Sequence, residues 1–476
     1  MSTQLPSHPS AAKHCAPAER PASPSFWLLV GTTSLAFVTS QLDVTIVNVA
    51  LPRIGEDFAV DVAGLQWVVD AYTLALAACM LAAGSLGDRY GVRRAFRFGL
   101  ALFALGSAAC GAAQSDLALN LARVLQGVGA AAMLPNSLAL LNNALEEAPD
   151  RRARALGWWT AAGSVSIAAG PVVGGVLLAS VGWRSIFWIN VPLSILGLLL
   201  SSRLAEAPPY KNRERLDVLG QVSSSVALVA ITGAVIQWRR LGPEHPVVWG
   251  GLALGILFGA AFILVERRAS APMLPLELFR IRRFSAAVVF GMIVNFTYYG
   301  TLFILTLHFQ QSLGYSALAT GLAFLPLTAG FFFSNVASGR LVVAFGARVP
   351  MMLGAAIDLA GFGLLARIDA AAPYPQFFIP FLLIPAGMGL AVPAMTSTVL
   401  AAVPRARAAT ASAVLNTARQ AAGALGVACF GALAHGGPGP VARTLGAVVA
   451  ASIVLLAIAI ATAALITPGL RQSPRG

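Results

Sequence analysis

Five charged side chains lie inside long apolar stretches of this chain, where a charge is costly and therefore indicates a function. They are Asp43, Asp70, Arg123, Asp358 and Arg419. A carboxylate in apolar surroundings can take up and release a proton, and a guanidinium can neutralise a neighbouring carboxylate. These residue types indicate proton binding coupled to the movement of another solute, and the five residues are the candidates for that coupling.

Asp43 and Arg123 form the most informative pair among these charges. Arg123 shares a helix face with Gln126, and a buried guanidinium needs an acceptor. Asp43 or a carbonyl group of the first helix is the natural partner. An Asp–Arg pair whose carboxylate can be protonated would act as a coupling switch. The alternative is that Asp43 is a structural hydrogen-bond centre, and the residues alone leave both interpretations open.

The other three charges also leave more than one interpretation open. Asp70 lies close to the end of an apolar run, so it is either a proton site or a solvated carboxylate at a helix end. Asp358 lies in the middle of a run and either carries a proton, meets a cationic substrate, or packs protonated against a neighbouring helix. Arg419 shares one helix face with Asn416 and Gln420, and this stripe either binds substrate or packs against protein.

Polar and aromatic residues inside the apolar runs are the candidates for the wall of a substrate cavity. A cavity of this kind would suit hydrophobic or cationic compounds, since aromatic faces attract cations. Ordinary packing between helices is the alternative for each residue. The candidates are Thr39, Gln126, Asn295, Tyr298, Tyr299, Asn416 and Gln420.

A charged segment with several glycines, residues 84–94, separates two of the apolar runs and reads as a loop. Its glycines allow a tight turn, and Asp88 could pair with an arginine or a helix N-terminus and latch neighbouring helices. A similar segment at 339–348 keeps two glycines seven residues apart but has Val343 in place of the acid. The repetition indicates two related halves. The latch candidates are Gly84, Asp88, Arg89, Gly91 and Arg93.

Small residues also recur at helical spacing in the fifth apolar run, which contains Gly170, Pro171 and Gly174. Small residues allow two membrane helices to approach closely, and a proline removes one backbone hydrogen bond. The segment is therefore a candidate hinge between the halves. Plain tight packing is the alternative, and the two interpretations overlap.

Composition excludes most other protein classes. Of the 476 residues, 57% are hydrophobic and only 11% are charged, which excludes a soluble globular protein. The net charge of +13 would suggest a nucleic-acid partner in a soluble chain, but here the basic residues fall between apolar runs, as in cytoplasmic loops. Four scattered cysteines predict neither disulfides nor a metal site. No cofactor is expected, and the scattered histidines argue against an enzyme.

The apolar runs predict an all-α membrane protein with fourteen transmembrane helices. Most of the 32 lysines and arginines lie on one side if both termini are cytoplasmic, which predicts the orientation in the inner, cytoplasmic membrane. The expected units are a tail at 1–24, a six-helix bundle at 25–203, a two-helix insert with linkers at 204–283, a second six-helix bundle at 284–467 and a tail at 468–476.

Five motifs, in this order, carry a resemblance to a known family. They are Leu42–Pro52, Gly84–Arg94, Arg123-Val-Leu-Gln-Gly, Gly170-Pro-Val-Val-Gly-Gly and Trp183–Pro192. Together they resemble motifs of the major facilitator superfamily, and in particular of its fourteen-helix drug:proton antiporters. The resemblance covers nearly the whole chain after the tail. It implies the major facilitator fold, with two six-helix bundles and two inserted central helices.

The resemblance also implies proton-driven export of hydrophobic, often cationic compounds by alternating access. It assigns Asp43 and Arg123 to coupling, and it assigns the 84–94 segment to an inner-face latch and the Gly170–Pro171 pair to an antiporter hinge. The expected partners are a small-molecule substrate, protons and the lipid bilayer, with no nucleic acid and with the protein as a monomer. The alternatives are a proton-coupled uptake symporter and a non-transporting membrane sensor.

Overall fold

The computed structural model describes residues 25–145, 148–204, 217–269, 272–369, 372–404, 407–434 and 438–466. These residues form helices joined by short turns, and within those ranges there is no β-strand. The all-α architecture predicted from the apolar runs is therefore confirmed. The predicted tails at 1–24 and 468–476, and most of the linker before the insert, lie outside the described residues.

The first half, residues 25–204, begins with five long helices. Their starts follow local capping rules, since the Asp61 carboxylate accepts from the Gly64 N–H and the Ser115 hydroxyl accepts from the Ala118 N–H. A broken pair of shorter helices completes this half. The helices are α1 (Phe26–Phe58), α2 (Val62–Tyr90), α3 (Val92–Ala112), α4 (Asp116–Ala144), α5 (Pro149–Ser180), α6 (Ser185–Trp188) and α7 (Asn190–Ser201).

Two helices form the insert, and seven follow in the second half. The insert consists of α8 (Val218–Leu241) and α9 (Pro246–Arg268). A 3₁₀ turn, Leu276–Arg280, leads into the second half, and a π-helical turn, His308–Ser312, extends its first helix. The remaining helices are α10 (Arg282–Leu307), α11 (Ala317–Ala323), α12 (Leu325–Phe345), α13 (Arg348–Leu365), α14 (Pro375–Ala401), α15 (Ala408–Leu433) and α16 (Pro438–Ala464).

The predicted count of fourteen membrane crossings is not confirmed. Within the described ranges, 11 helical segments are long and apolar enough to cross a membrane, or 12 if the bent α5 is counted as one span. Two predicted spans fall outside this set. The sixth is the short broken pair α6–α7, and the thirteenth is α15, which is rich in alanine and carries a stripe of polar side chains.

The segment predicted as a loop at 84–94 is largely helical, which corrects the sequence interpretation. α2 continues to Tyr90, α3 begins at Val92, and only Gly91 between them leaves helical geometry, with φ 101°. Gly346, with φ 78°, makes the equivalent turn between α12 and α13. Continued helix keeps the backbone N–H groups bonded, and glycine adopts these φ values without strain. The two related segments therefore share a backbone design.

The helices pack as two halves with the insert at their seam. In the first half α1 packs on α5, and α4 packs on both α2 and α3. In the second half α14 packs on α12 and α13, while α10 packs on α15. α8 packs against α2 of one half and α15 of the other, and α9 packs on α8. The insert therefore covers one side of the junction between the halves.

Helices approach most closely where one of them contributes a glycine. Gly129 of α4 faces the backbone of Phe103 in α3, and Gly300 of α10 faces the backbone of Gly426 in α15. A Cβ atom at Gly300 would lie 2.6 Å from the Gly426 carbonyl oxygen and 2.6 Å from the Phe430 ring. Membrane helices depend on such packing because lipid supplies little hydrophobic force between them.

Replacing Gly300 by alanine is expected to lower the free energy of unfolding by about 1–3 kcal/mol, because the added methyl group has no room. Gly363→Ala in α13 is the matched control, since no heavy atom lies within 4 Å of its Cβ position. Thermal unfolding of both variants in one detergent gives the comparison. Equal melting temperatures would contradict the prediction and show that the α10–α15 contact relaxes freely.

Candidate functional site

The centre of the first half is an ion pair between Asp43 of α1 and Arg123 of α4. Arg123 Nη1 lies 2.5 Å from Asp43 Oδ2, and both side chains are at most 1% exposed. The guanidinium also donates from Nε to the Val68 carbonyl oxygen of α2, at 3.0 Å. Its face covers the ring of Tyr72, with 4.4 Å between the guanidinium carbon and the ring centroid. The partner predicted for Arg123 is therefore the one observed.

The second carboxylate oxygen of Asp43 is also fully used. Asp43 Oδ1 accepts from Gln126 Nε2 at 2.7 Å and from Asn190 Nδ2 of α7 at 2.9 Å. Gln126 also accepts from Arg123 at 2.7 Å and donates to Ser107 of α3 at 2.8 Å. One carboxylate thus joins α1, α4 and α7. Buried polar groups are stable when they are bonded in this way.

Two residues of this network, Asn190 and Ser107, were not predicted from the sequence. Asn190 stands as a single amide among apolar residues, in a segment that was noted only as part of a family motif. A lone amide at that depth needs a partner, so a stricter search for isolated polar residues would have found it. Ser107 carries no such signal, because serine hydroxyls often bond to their own helix.

Asp70 of α2 lies in protein and not at a solvated helix end, so that alternative is wrong. The residue is 0% exposed, and neither of its carboxylate oxygens has a hydrogen-bond partner. One turn away, Gln66 Nε2 donates to the carbonyl oxygens of Val427 and Ala428 in α15, at 2.9 and 2.8 Å. Asp70 therefore shares a helix face with the contact that joins the two halves.

Asp358 of α13 is the corresponding isolated acid of the second half. It is 2% exposed, and its Oδ1 atom has no hydrogen-bond partner. α14 approaches it with Gly387, where a Cβ atom would lie 2.7 Å from the Asp358 Cβ. A carboxylate with an unpartnered oxygen at membrane depth is chemically suited to binding a proton, because protonation removes the charge.

The polar stripe of α15 is partly accessible. Asn416, Arg419 and Gln420 are neither fully buried nor exposed, and the same holds for Tyr298 and Tyr299 of α10. The two tyrosine rings pack edge to face, with centroids 5.3 Å apart. These five side chains remain candidates for the wall of a cavity in the second half.

Three predicted cavity residues do not line a cavity. Thr39 is fully buried and donates to carbonyl groups of its own helix, and Asn295 donates to the Gly291 carbonyl oxygen of its own helix. Gln126 belongs to the Asp43 network and is 0% exposed. Each helix is rotated about its axis so that these side chains face neighbouring helices. This rotation cannot be read from the composition of the helix.

Three of the five latch candidates, Arg89, Gly91 and Arg93, lie at the turn between α2 and α3. Arg93 Nη1 donates to the Leu204 carbonyl oxygen at 2.5 Å and so ties the start of α3 to the end of α7. Arg89 lies beside Tyr90, 5.5 Å from the ring centroid, and Gly91 makes the turn. The surroundings of Gly84 and the side chain of Asp88 lie outside the described part, so the latch remains a prediction. Asn136 of α4, which sequence reasoning missed, donates to the Ala83 carbonyl oxygen.

The hinge candidates lie where α5 bends and meets both α1 and α11. α5 bends by 41° between Ile167 and Ala169, and Pro171 four residues beyond Ile167 cannot donate to its carbonyl group. Gly170 packs on Thr45, and Gly174 packs on Ile46. The close packing expected from the sequence is present, and α5 also bends beside Pro171, while movement at this point remains a prediction.

The two halves are joined at one end of the molecule, which we call the α1–α2 end after the turn at residues 59–61. Besides the Gln66 contacts, Gln310 Nε2 donates to the Val49 carbonyl oxygen at 2.9 Å. Gly175 and Gly321 provide close contacts between α5 and α11 at the same end. A cleft of about 820 Å³ opens outside this contact, lined by residues that include Arg53, Glu56, Asp61, Gln310 and Tyr315.

No cluster of metal-ligating side chains occurs in the part of the chain that the structure describes. Within it, no group of three or more His, Cys, Asp or Glu side chains could hold a metal ion. Cys79, Cys110 and Cys429 are free thiols there.

Comparison with known proteins gives the family. Residues 33–427 match the profile of the Major Facilitator Superfamily. The chain is 35% identical over 404 residues to the Methylenomycin A resistance protein of Bacillus subtilis, a match that covers 84% of this chain and 86% of that protein. It is 37% identical over 404 residues to the Multidrug resistance protein Stp of Mycobacterium tuberculosis, covering 84% and 74%.

Solved structures show the same fold at low identity. A crystal structure of the peptide transporter POT in complex with sulfate superposes with a TM-score of 0.67. The match covers 93% of this chain and 94% of that one, at 17% sequence identity. Such a likeness shows the fold alone.

Removing one charge of the Asp43–Arg123 pair is expected to destabilise the protein strongly. Asp43→Leu leaves the guanidinium buried without its counter-ion, so the free energy of unfolding should fall by about 3–5 kcal/mol. The Asp43→Leu/Arg123→Leu variant removes both charges and should lose less than the sum of the two single variants. Thermal unfolding of the three variants tests this.

The matched control for this cycle is Glu56→Leu, which breaks the Arg53–Glu56 pair. The side chains of Arg53 and Glu56 are 66% and 65% exposed, so the free energy of unfolding should fall by less than about 1 kcal/mol. Strictly additive losses at Asp43 and Arg123 would contradict the coupling between them.

Proposed function

Because the chain belongs to the Major Facilitator Superfamily, we propose that it exports a hydrophobic organic compound across the cell membrane in exchange for protons. It is a membrane transporter and not an enzyme. The relatives' names, which refer to methylenomycin A resistance and multidrug resistance, support export of a drug or antibiotic. The charged residues at membrane depth support proton coupling, with the proton gradient as the energy source and without a cofactor.

The proposed transport cycle is alternating access between two six-helix bundles. The halves are in contact at the α1–α2 end through Gln66 and Gln310, so this end is closed in the observed conformation. Outward opening requires these contacts to separate while the opposite end closes. The bend of α5 beside Pro171 and its glycine contacts with α1 and α11 support the proposal that α5 is the hinge of this movement.

Proton coupling is proposed to use the Asp43–Arg123 network together with the isolated acids Asp70 and Asp358. The network contacts α2 through the Val68 carbonyl group, and α2 carries Asp70 and the Gln66 contact with α15. A change in charge at Asp43 or Asp70 is therefore connected through one rigid helix to the closed end. This continuous set of contacts is the observation on which the coupling proposal depends.

We further propose fourteen crossings, with both termini in the cytoplasm and the α2–α3 turn on the cytoplasmic side. α15 supports this count because it packs against α2 and α10 within the bundles, and α6–α7 packs against α3. The arginines around the Gly91 turn support the orientation. There they form the proposed latch with Asp88. The transporter is proposed to act as a monomer in the lipid bilayer.

Everted membrane vesicles test the direction of exchange. Their lumen is acidified by respiration, and an antiporter that moves an added compound inward must release lumenal protons. A fluorescent pH-gradient probe should therefore recover on addition of a transported compound. The panel contains lipophilic acids, their neutral amides and lipophilic amines. Asp43→Asn should reduce the recovery at least severalfold, whereas Asp116→Asn, at an exposed position at the start of α4, should not.

Two other results would overturn parts of this proposal. Further acidification on addition of a compound means that solute and protons move together, which is the behaviour of an uptake symporter. Recovery of equal size in wild type and Asp43→Asn would establish exchange but remove Asp43 from the coupling. A lack of response to every compound, in vesicles that hold a gradient, would contradict proton-coupled export and favour the sensor alternative.

Straightening α5 is expected to slow transport. Pro171→Ala restores the N–H group that can bond to the Ile167 carbonyl group, so the bend should decrease and turnover should fall severalfold, with little change in apparent affinity. Initial export rates at several concentrations separate the two quantities. Pro246→Ala is the control, because Pro246 stands in the first turn of α9 and imposes no bend. A Pro171→Ala rate equal to wild type would remove the hinge.

A further inference from the structure

The two arginines at membrane depth differ in how their charge is balanced. Arg123 has Asp43 as counter-ion and three further bonded or stacked neighbours, the Val68 carbonyl group, Gln126 and Tyr72. Arg419, near the middle of α15, has no carboxylate within ion-pair distance among the residues of known placement. The hydrogen bond it makes to a described side chain is a long one, with 3.5 Å between Nη1 and the Asn416 Oδ1 atom. Its Nε atom is buried and has no partner.

The surroundings of Arg419 hold its stem in place but do not neutralise it. Gly291 of α10 leaves room for the stem, since a Cβ atom at this position would lie 3.3 Å from Arg419 Cγ and 3.0 Å from the Met395 sulfur of α14. Asp358, a buried acid of the same half, forms no hydrogen bond through Oδ1 and no ion pair with another described residue. A guanidinium that is held by apolar contacts, and whose Nε–H donor has no partner, has the form of a ligand site for an anion.

The neighbouring side chains complete a pocket wall for such a ligand. Asn416 and Gln420 lie one turn before and next to Arg419 on the same partly accessible face of α15. Across from them, Tyr299 of α10 packs against Gly423, where a Cβ would lie 3.1 Å from its ring. The pair Tyr298–Tyr299 offers an aromatic surface beside the charged group. The wall therefore joins a planar cation, amide groups and an aromatic surface.

We propose that Arg419 binds an acidic group, a carboxylate in the first instance, of the exported compound. The guanidinium supplies two parallel N–H donors that match a carboxylate, and the tyrosines contact its hydrophobic body. This deepens the proposed function, on which it rests, by naming the substrate class as hydrophobic organic acids or zwitterions. It also revises the sequence expectation of a cationic substrate, because an unbalanced positive charge repels a simple cation.

Binding to purified protein in lipid nanodiscs, without any proton gradient, tests the assignment. The probes are hydrophobic aromatic compounds in matched sets of three: the carboxylate, its primary amide and the aminomethyl compound. Ligand-induced shifts in melting temperature and dissociation constants are measured for wild type. The carboxylates should bind at least about tenfold more tightly than their amides, as a charge-assisted bidentate contact provides.

Variants at Arg419 then identify the residue. Arg419→Gln should abolish the preference for carboxylates over amides and leave the binding of the amides unchanged. Arg419→Lys should keep part of the preference, because it keeps the charge but loses the bidentate geometry. Arg340→Gln, which removes an exposed charge from α12, is the matched control and should behave as wild type.

Three results would overturn the proposal. They are tighter binding of the amides or amines than of the carboxylates, no binding of any carboxylate, and a carboxylate preference that survives Arg419→Gln. If Arg419→Gln does not fold, Arg419→Lys still tests the geometry, since a structural role alone would leave the acid-to-amide ratio unchanged. Because no gradient is used, failure here leaves the vesicle test of antiport untouched, and failure of that test leaves this binding result standing.

Discussion

A charge in the interior of a membrane has to be balanced, and the first half of this protein is built around one such balance. Asp43 and Arg123 neutralise each other, and they form further hydrogen bonds with Gln126, Asn190 and the Val68 carbonyl group. The pair thereby joins four helices at one point. Because breaking any of these contacts leaves a polar group unpaired in an apolar region, the helices hold a single arrangement around it.

The second half follows the same helical plan with a different treatment of charge. Its equivalent turn at Gly346 has a positive φ like the Gly91 turn, yet among the described residues Arg419 has no counter-ion of the kind that Arg123 has. In the first half, the buried charge is therefore balanced by neighbouring side chains. In the second half, the Arg419 Nε–H donor has no partner and lies on a helix that faces the partly accessible Tyr298 and Tyr299. α2 connects the two, since it touches Arg123 at Val68 and α15 at Gln66. The proposed coupling of a local change in charge to the junction between the halves uses these contacts.

The sequence predicts a feature correctly where one segment alone decides it, or where a buried charge must have a partner. Long apolar runs form helices because lipid cannot satisfy backbone groups, and Arg123 had to find an acceptor. The prediction fails where the outcome depends on the rotation of a helix. The sequence predicts Thr39, Gln126 and Asn295 in the wall of a cavity, but they are buried in protein. One of the two alternatives for Asp70 was a solvated helix end, and Asp70 is buried as well. The segment at 84–94 was read as a loop because of its glycines, although only Gly91 departs from helix.

The sequence by itself determined the class of molecule, the near-complete set of helices, the charges at membrane depth and the family motifs. These follow from hydrophobicity and from the cost of charge in lipid, which act on each segment separately. The tertiary structure decided which charges meet. Asn190 lies 147 positions from Asp43 in the chain and Val427 lies 361 from Gln66, and only the packing of glycine-bearing helices brings them within hydrogen-bond distance. Helix position and rotation are properties of the packed bundle, so no single segment contains them.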